Sequence, residues 1–124
     1  MTINDVKEIL NAEVLVGHDK LDRQVMSACG ADLMSDVLAF TKEKTLLLTG
    51  LTNIQVIRTA EVADAVAIVF VRGKCPPDNV LELAESMDLP VLLTNLALFQ
   101  SCGKLYYAGL RNGECVTPGD NHGT

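Results

Sequence analysis

Three residues combine side-chain types and spacing suited to holding a ligand: Arg72-Gly73-Lys74. Two cations flank a glycine, which lets backbone N–H groups approach an anion closely. An apolar run precedes them, and Pro76-Pro77 marks a helix start just after, where the helix dipole favours negative charge. The chemistry this suits is binding of an anion such as a phosphate. The tripeptide fits an ordinary charged turn between a strand and a helix equally well. Thr49-Gly50 and Thr94-Asn95 close two other apolar runs and offer hydroxyl and amide groups at equivalent positions. Helix capping and tight turning also account for them, and for Asn95 capping is the better account.

Other chemistry is thinly represented. A phosphate-binding G-x-x-x-x-G-K-[ST] loop needs a glycine five residues before its Gly-Lys pair. Gly73-Lys74 and Gly103-Lys104 have Ile68 and Leu98 there, followed by Cys75 and Leu105 in place of Ser or Thr, so no kinase or ATPase site is encoded. Cys75, beside Lys74, has surroundings that can make a thiol reactive, though a plain turn cysteine is the simpler reading. His18 with Asp19 and Asp22 resembles an acid–base or metal group in miniature. The second histidine, His122, lies near the C-terminus, which favours a surface loop. Glu82 and Glu85 fit the solvated face of a helix.

The elements that must position these residues are legible. Thr45-Leu46-Leu47-Leu48, the run Ala65–Val71 and Val91-Leu92-Leu93 are apolar without alternation, as parallel strands covered on both faces are. Helical patterns over 54–63, capped by Thr52 or Asn53, and after Pro76-Pro77, with Val80, Leu83, Ala84 and Met87 inward, separate them into a double βαβ unit. The crevice beyond such strand ends is the usual ligand place. Upstream, Thr2 caps a helix over 3–11 with Asp5 in its first turn, and Glu13–Val16 and Gln24–Cys29 read as strands. Asp32 caps a helix to about Phe40 with Met34, Val37 and Leu38 inward. Thr41–Lys44 turns into the first long strand. Downstream, Asn95 caps a helix carrying Leu96, Phe99 and Cys102 that ends near Gly103.

The chain has 124 residues, 48% of them hydrophobic, with a net charge of −6. One domain over 1–110 with a flexible tail over 111–124 is expected, with about two-thirds of the unfolded surface buried. The acidic balance and scarce aromatics argue against a nucleic-acid or anionic-membrane surface. No run approaches a membrane span and the N-terminus has no signal-peptide pattern. Cys29, Cys75, Cys102 and Cys115 form no C-x-x-C pair, which fits free thiols in a cytoplasmic protein. No cofactor or metal is implied.

The order of elements also carries a resemblance. A small-residue strand, the Ser-Asp-Val-Leu helix, Leu-Leu-Leu-Thr-Gly, then Arg-Gly-Lys-Cys-Pro-Pro and Leu-Glu-Leu-Ala-Glu-Ser-Met-Asp-Leu-Pro-Val-Leu-Leu-Thr resemble the DRTGG domain family over about residues 13–110. That family includes stand-alone proteins and modules of phosphotransacetylases and CBS-domain pyrophosphatases, and it is similar to the N-terminal domain of HPr kinase/phosphorylase. The family's Asp-Arg falls at Leu51-Thr52, and its Thr-Gly-Gly at Val71-Arg72-Gly73, where only the last glycine is kept. The resemblance implies an accessory, regulatory and self-associating domain.

The fold expected is a three-layer α/β domain with a mostly parallel sheet of about five strands and helices on both faces. The function expected is non-catalytic regulation or ligand sensing as a homodimer. A nucleotide or other phosphate-bearing ligand would bind at Thr49, Gly50, Arg72, Gly73, Lys74, Thr94 and Asn95. Two alternatives stand beside it: an adaptor subunit of a metabolic or redox complex, and a small transferase or thiol-dependent enzyme using Cys75 and His18.

Overall fold

Apolar runs without alternation need cover on both faces, and the chain supplies it. In the computed structural model, which describes residues 1–40 and 43–111, five strands form one sheet. They are β1 (Glu13–Val16), β2 (Ser27–Gly30), β3 (Thr45–Thr49), β4 (Ala67–Phe70) and β5 (Val91–Leu93). Their order is β1-β5-β4-β3-β2. Strands β2 to β5 are parallel, and β1 joins β5 antiparallel at one edge. The helices are α1 (Ile3–Leu10), α2 (Met34–Phe40), α3 (Ile54–Val62), α4 (Asp78–Ser86) and α5 (Leu98–Tyr107).

The sheet divides the core in two. Leu46, Leu48, Val69 and Leu92 pack with Ile3, Val6 and Leu10 of α1 and Leu105 of α5. Leu47, Ile68, Phe70 and Val91 pack with Val37 of α2, Val56, Ile57 and Ala60 of α3, and Val80 and Ala84 of α4. Every residue of β3 and β4 is buried. At about 1.5–3 kcal/mol for each large apolar side chain removed from water, these two strands carry much of the fold and hold their carboxyl ends rigidly side by side. The result is the expected three-layer architecture.

Local signals set most helix ends. Thr2 and Asp5 exchange hydrogen bonds of 3.1 and 2.9 Å in a capping box. Asn53 accepts from the Gln55 amide at 3.0 Å and caps α3.

Four expectations are corrected. The strand expected over Gln24–Cys29 starts at Ser27. The Val25 amide donates to the Met1 carbonyl and Gln24 bridges Thr2, so this stretch is tied to the N-terminus, and Met26 is 60% exposed. The last helix is not capped by Asn95. It begins at Leu98, where the Gln100 side chain accepts from the Ala97 amide, and runs through Gly103 to Tyr107. Asn95 and Leu96 are held in a turn instead, because the Thr94 hydroxyl accepts from the Leu96 amide and the Leu96 carbonyl accepts from the Arg72 amide. Leu38 points outward, since α2 flanks the edge strand β2 and its helix neighbour is α3. The fourth correction concerns Asp32 and belongs to the site. The expected tail lies, from residue 112 on, outside the described residues, as do Thr41 and Lys42 of the expected turn.

Candidate functional site

Strands β3 and β4 end in register, with Thr49 opposite Phe70. Beyond them the chain enters α3 and α4, and the two helix starts enclose a cleft of about 530 Å³. Gly50, Thr52, Asn53, Lys74, Pro77 and Asn79 line it. Asn53 closes the N-terminus of α3, but Pro77 gives α4 no side-chain cap. The Val80 amide turns back to the Pro77 carbonyl at 3.0 Å and Asp78 sets a carboxylate in the first turn, which leaves the Asp78 and Asn79 amides without a partner among the described residues.

The turn that supplies the cations has an unusual backbone. Arg72 and Gly73 have φ of 61° and 66°, and the Lys74 amide donates to the Val71 carbonyl at 3.3 Å. Two successive central residues with positive φ are the mark of a type I′ turn. Glycine enters this conformation freely, whereas arginine does so at a cost of roughly 1–2 kcal/mol. Strain of this kind concentrates at functional sites. Bonds from the Arg72 amide to the Leu96 carbonyl (2.8 Å) and from the Gly73 amide to the Thr94 carbonyl (2.9 Å) pin the turn to the segment after β5.

The guanidinium of Arg72 folds back over Gly50. A Cβ on Gly50 would lie 2.9 Å from Nη2, so the buried glycine leaves the room this packing needs. Arg72 and Lys74 are both exposed, and among the described residues neither forms an ion pair.

Asp32 corrects the fourth expectation: it does not cap α2. Its Oδ1 accepts from the Gly50 amide at 2.8 Å and from the Thr49 hydroxyl at 3.0 Å. Asp32 follows β2, so it reaches the same strand ends as Arg72 from the other side of β3. Residue type alone pointed to a cap. The available signal was its place two residues beyond the end of a strand.

The remaining expected residues divide. The hydroxyl of Thr49 is buried, donating to Asp32 and accepting from the Leu51 amide. That of Thr94 is buried, donating to the Leu10 carbonyl at 2.8 Å and so fastening β5 to α1. Both hydroxyls are consumed internally. Asn95 sits beside Gly73 and lines a separate pocket of about 210 Å³ with Asn11 and Lys104. Gly50, Arg72, Gly73 and Lys74 are thus brought together, and Asp32 joins them.

Cys75 is exposed near this cleft, whereas His18 lies in a short 3₁₀ turn after β1. Because β1 runs against β5 and Val16 aligns with Val91, His18 is at the opposite end of the sheet. The two do not form a nucleophile–base pair. Cys29 and Cys102 are half-buried, and burial pushes both thiols up, which disfavours the reactive thiolate. Among the described residues no His, Cys, Asp and Glu group could hold a metal. No helix among them is long and apolar enough to cross a membrane.

A second cleft, of about 430 Å³, opens at the amino ends of the strands between the last turns of α3 and α4. Its basic groups are paired with Asp88, while Glu61 and Asp64 on the same wall form no ion pair among the described residues. Lys20 Nζ lies 2.7 Å from Asp88 Oδ1 and Arg23 Nη2 lies 3.1 Å from Asp88 Oδ2. The Lys20 hydrogen bond holds the Asp88 carboxyl below the usual carboxylate range.

Comparison with known proteins agrees with this architecture. No curated protein matches the chain. Among solved structures, the crystal structure of the CBS and DRTGG domains of the regulatory region of Clostridium perfringens pyrophosphatase, complexed with the activator diadenosine tetraphosphate, matches with a TM-score of 0.69 at 16% identity. The match covers 84% of this chain and 45% of that one, so the chain spans under half of its neighbour, and the likeness is one of fold. The family model for the DRTGG domain matches residues 5–106, from α1 into α5. Matched over that length, the chain belongs to the DRTGG domain family.

Proposed function

We propose that this DRTGG domain is a regulatory, ligand-sensing module without a reaction of its own, and that its ligand is a nucleotide or another phosphate-bearing molecule. The observation that carries the reading is a pair of cations without ion-pair partners among the described residues: Lys74 lines the β3–β4 cleft, and Arg72 lies over Gly50 in its wall. In an acidic chain, two unmatched cations beside a helix start without a side-chain cap support an anion site there. The solved neighbour is a regulatory region in complex with a nucleotide activator, which supports the same class of role. The domain would act in the cytoplasm on a metabolic enzyme, by contact that changes when the cleft is filled.

Homodimerisation belongs to the same reading. Phe99, Tyr106 and Tyr107 project from α5 with 87%, 61% and 94% of their surface exposed, and β2 is an edge strand close to α5. A second copy would cover the Val25–Cys29 segment, α2 and this face of α5.

Thermal denaturation with a panel of nucleotides tests the ligand reading. A ligand at 100 times its Kd adds about 2.7 kcal/mol, a rise on the order of 10 °C for a domain of this size. Arg72→Ala and Lys74→Ala should abolish the rise, and ATP with magnesium should not be turned over. A panel without any shift leaves the adaptor role in place of the sensing one. Light scattering that finds only a 13.3 kDa species at micromolar concentration would remove the homodimer.

A further inference from the structure

The carboxylate bonded to Gly50, a residue of the cleft wall, narrows what can bind there, given that the cleft takes a phosphate-bearing ligand at all. We infer that Asp32 makes it a ribonucleotide site, with the phosphate on Arg72 and Lys74 and the ribose hydroxyls on Asp32.

The geometry behind this centres on Gly50. Asp32 Oδ1 is 2.8 Å from its amide nitrogen and also takes the Thr49 hydroxyl proton at 3.0 Å. Oδ2 receives no hydrogen bond among the described residues, and Asp32 is exposed. The Arg72 guanidinium crosses the same glycine, 2.9 Å from where a Cβ would stand. Carboxylate and guanidinium thus flank one residue, yet they form no ion pair with each other. Each is left free to bind a third group.

Their chemistry then sorts a ligand. An ionised carboxylate only accepts hydrogen bonds, and a guanidinium only donates them. A phosphate placed against Asp32 would be repelled, so it belongs with Arg72, Lys74 and the open amides of α4. The group at Asp32 must donate hydrogen bonds and carry no negative charge. A ribose meets both conditions, presenting vicinal hydroxyls within one sugar's length of its phosphate. Carboxylates serve ribose hydroxyls in this way in other open α/β sheets. The fixed Oδ1 restricts the Asp32 rotamer, so Oδ2 is pre-set for the hydroxyl.

Calorimetric titration of the full chain with ADP, ATP and GTP, and with their 2′-deoxy and 3′-deoxy counterparts, tests the assignment. The wild-type protein should prefer a ribonucleotide over at least one deoxy counterpart by about ten- to hundredfold, the worth of one charge-assisted hydrogen bond. Asp32→Asn keeps an oxygen for the Gly50 amide, so it should fold normally and bring that ratio close to one. Equal binding of ribo- and deoxynucleotides by the wild-type protein overturns the role of Asp32 and leaves the phosphate site standing. A ratio unchanged in Asp32→Asn does the same. Failure of every nucleotide to bind overturns the phosphate site itself, and Asp32's role with it.

Discussion

The two ends of the sheet have clefts of similar size, about 430 and 530 Å³, and treat their cations in opposite ways. At the amino ends, Asp88 is gripped by Lys20 and Arg23, and Lys20 also holds Asp19 at 3.1 Å. Helices α3 and α4 finish there, which adds carbonyl ends and negative potential. At the carboxyl ends the same helices begin, α4 without a side-chain cap, and Arg72 and Lys74 have no ion-pair partner among the described residues. At one end Lys20 and Arg23 are engaged in joining the loop after β1 to the end of α4. The other keeps its cations available, even at the cost of an arginine with positive φ. Cleft volume hardly differs between the two ends; the pairing of the cations does.

The sharpest way to break this contrast is a methyl group at each end. Gly17 has φ of 88°, and a Cβ there would lie 2.9 Å from Pro90 Cα, a backbone atom that cannot swing aside. Gly17→Ala should therefore cost about 2–4 kcal/mol from conformational strain and overlap, read as a fall in the urea midpoint without loss of ligand response. A change below about 0.5 kcal/mol would show that the amino end is not rigid.

Arg72→Gly comes next. It removes the strain of a positive φ and should raise stability in the absence of ligand by about 1 kcal/mol, while removing the ligand-induced rise in Tm. A variant that is destabilised would mean that the guanidinium fastens β4 to β3 and is not held in reserve.

Gly50→Ala should have a smaller effect on stability, below about 1 kcal/mol, although the overlap is again 2.9 Å. Here the obstacle is the tip of a flexible arginine, which can move. The consequence should appear in binding, as a weakened thermal response to nucleotide with a nearly unchanged melting curve without it.

The smallest effect is on pH. Lys20 lowers the Asp88 carboxyl most, and it lowers Asp19 as well. A carboxyl whose folded value lies below its unfolded one stabilises the protein above the unfolded value, near 3.8, and loses that contribution as pH falls through the lower folded value. Asp88→Asn, which suits the φ of 61° at this position, should lower the melting temperature slightly at pH 7 and flatten its decline below pH 4. An unchanged acid limb would place the acid sensitivity elsewhere, with Asp5 of the α1 capping box as the next candidate.

Much of this is legible in the amino-acid sequence. Leu46–Leu48 and Ala67–Phe70 are apolar without alternation, so strand, parallel pairing and double-sided cover follow from the pattern alone. The capping pairs Thr2–Asp5 and Asn53–Gln55 are local and were equally legible. The misread places share a cause. Asn95 reads as a cap in its own neighbourhood, but bonds to Arg72 and Thr94 fix its segment as a turn. Asp32 reads as a cap too, and its partners stand at the end of another strand.

By itself the sequence determined which stretches become strands and helices, that the sheet is covered on both faces, and that Arg72, Gly73 and Lys74 follow a strand. Those properties depend on side-chain periodicity and on residues within a few positions of one another. Tertiary structure decided that Arg72 lies over Gly50, that Asp32 bonds the same glycine's amide, and that the hydroxyls of Thr49 and Thr94 are taken by internal partners. It also decided that Lys20 and Arg23 are matched to Asp88 while Arg72 and Lys74 remain unmatched among the described residues. The pairing of Lys20 and Arg23 with Asp88 joins residues more than sixty positions apart, brought near only when the strands align, and no local pattern encodes that distance.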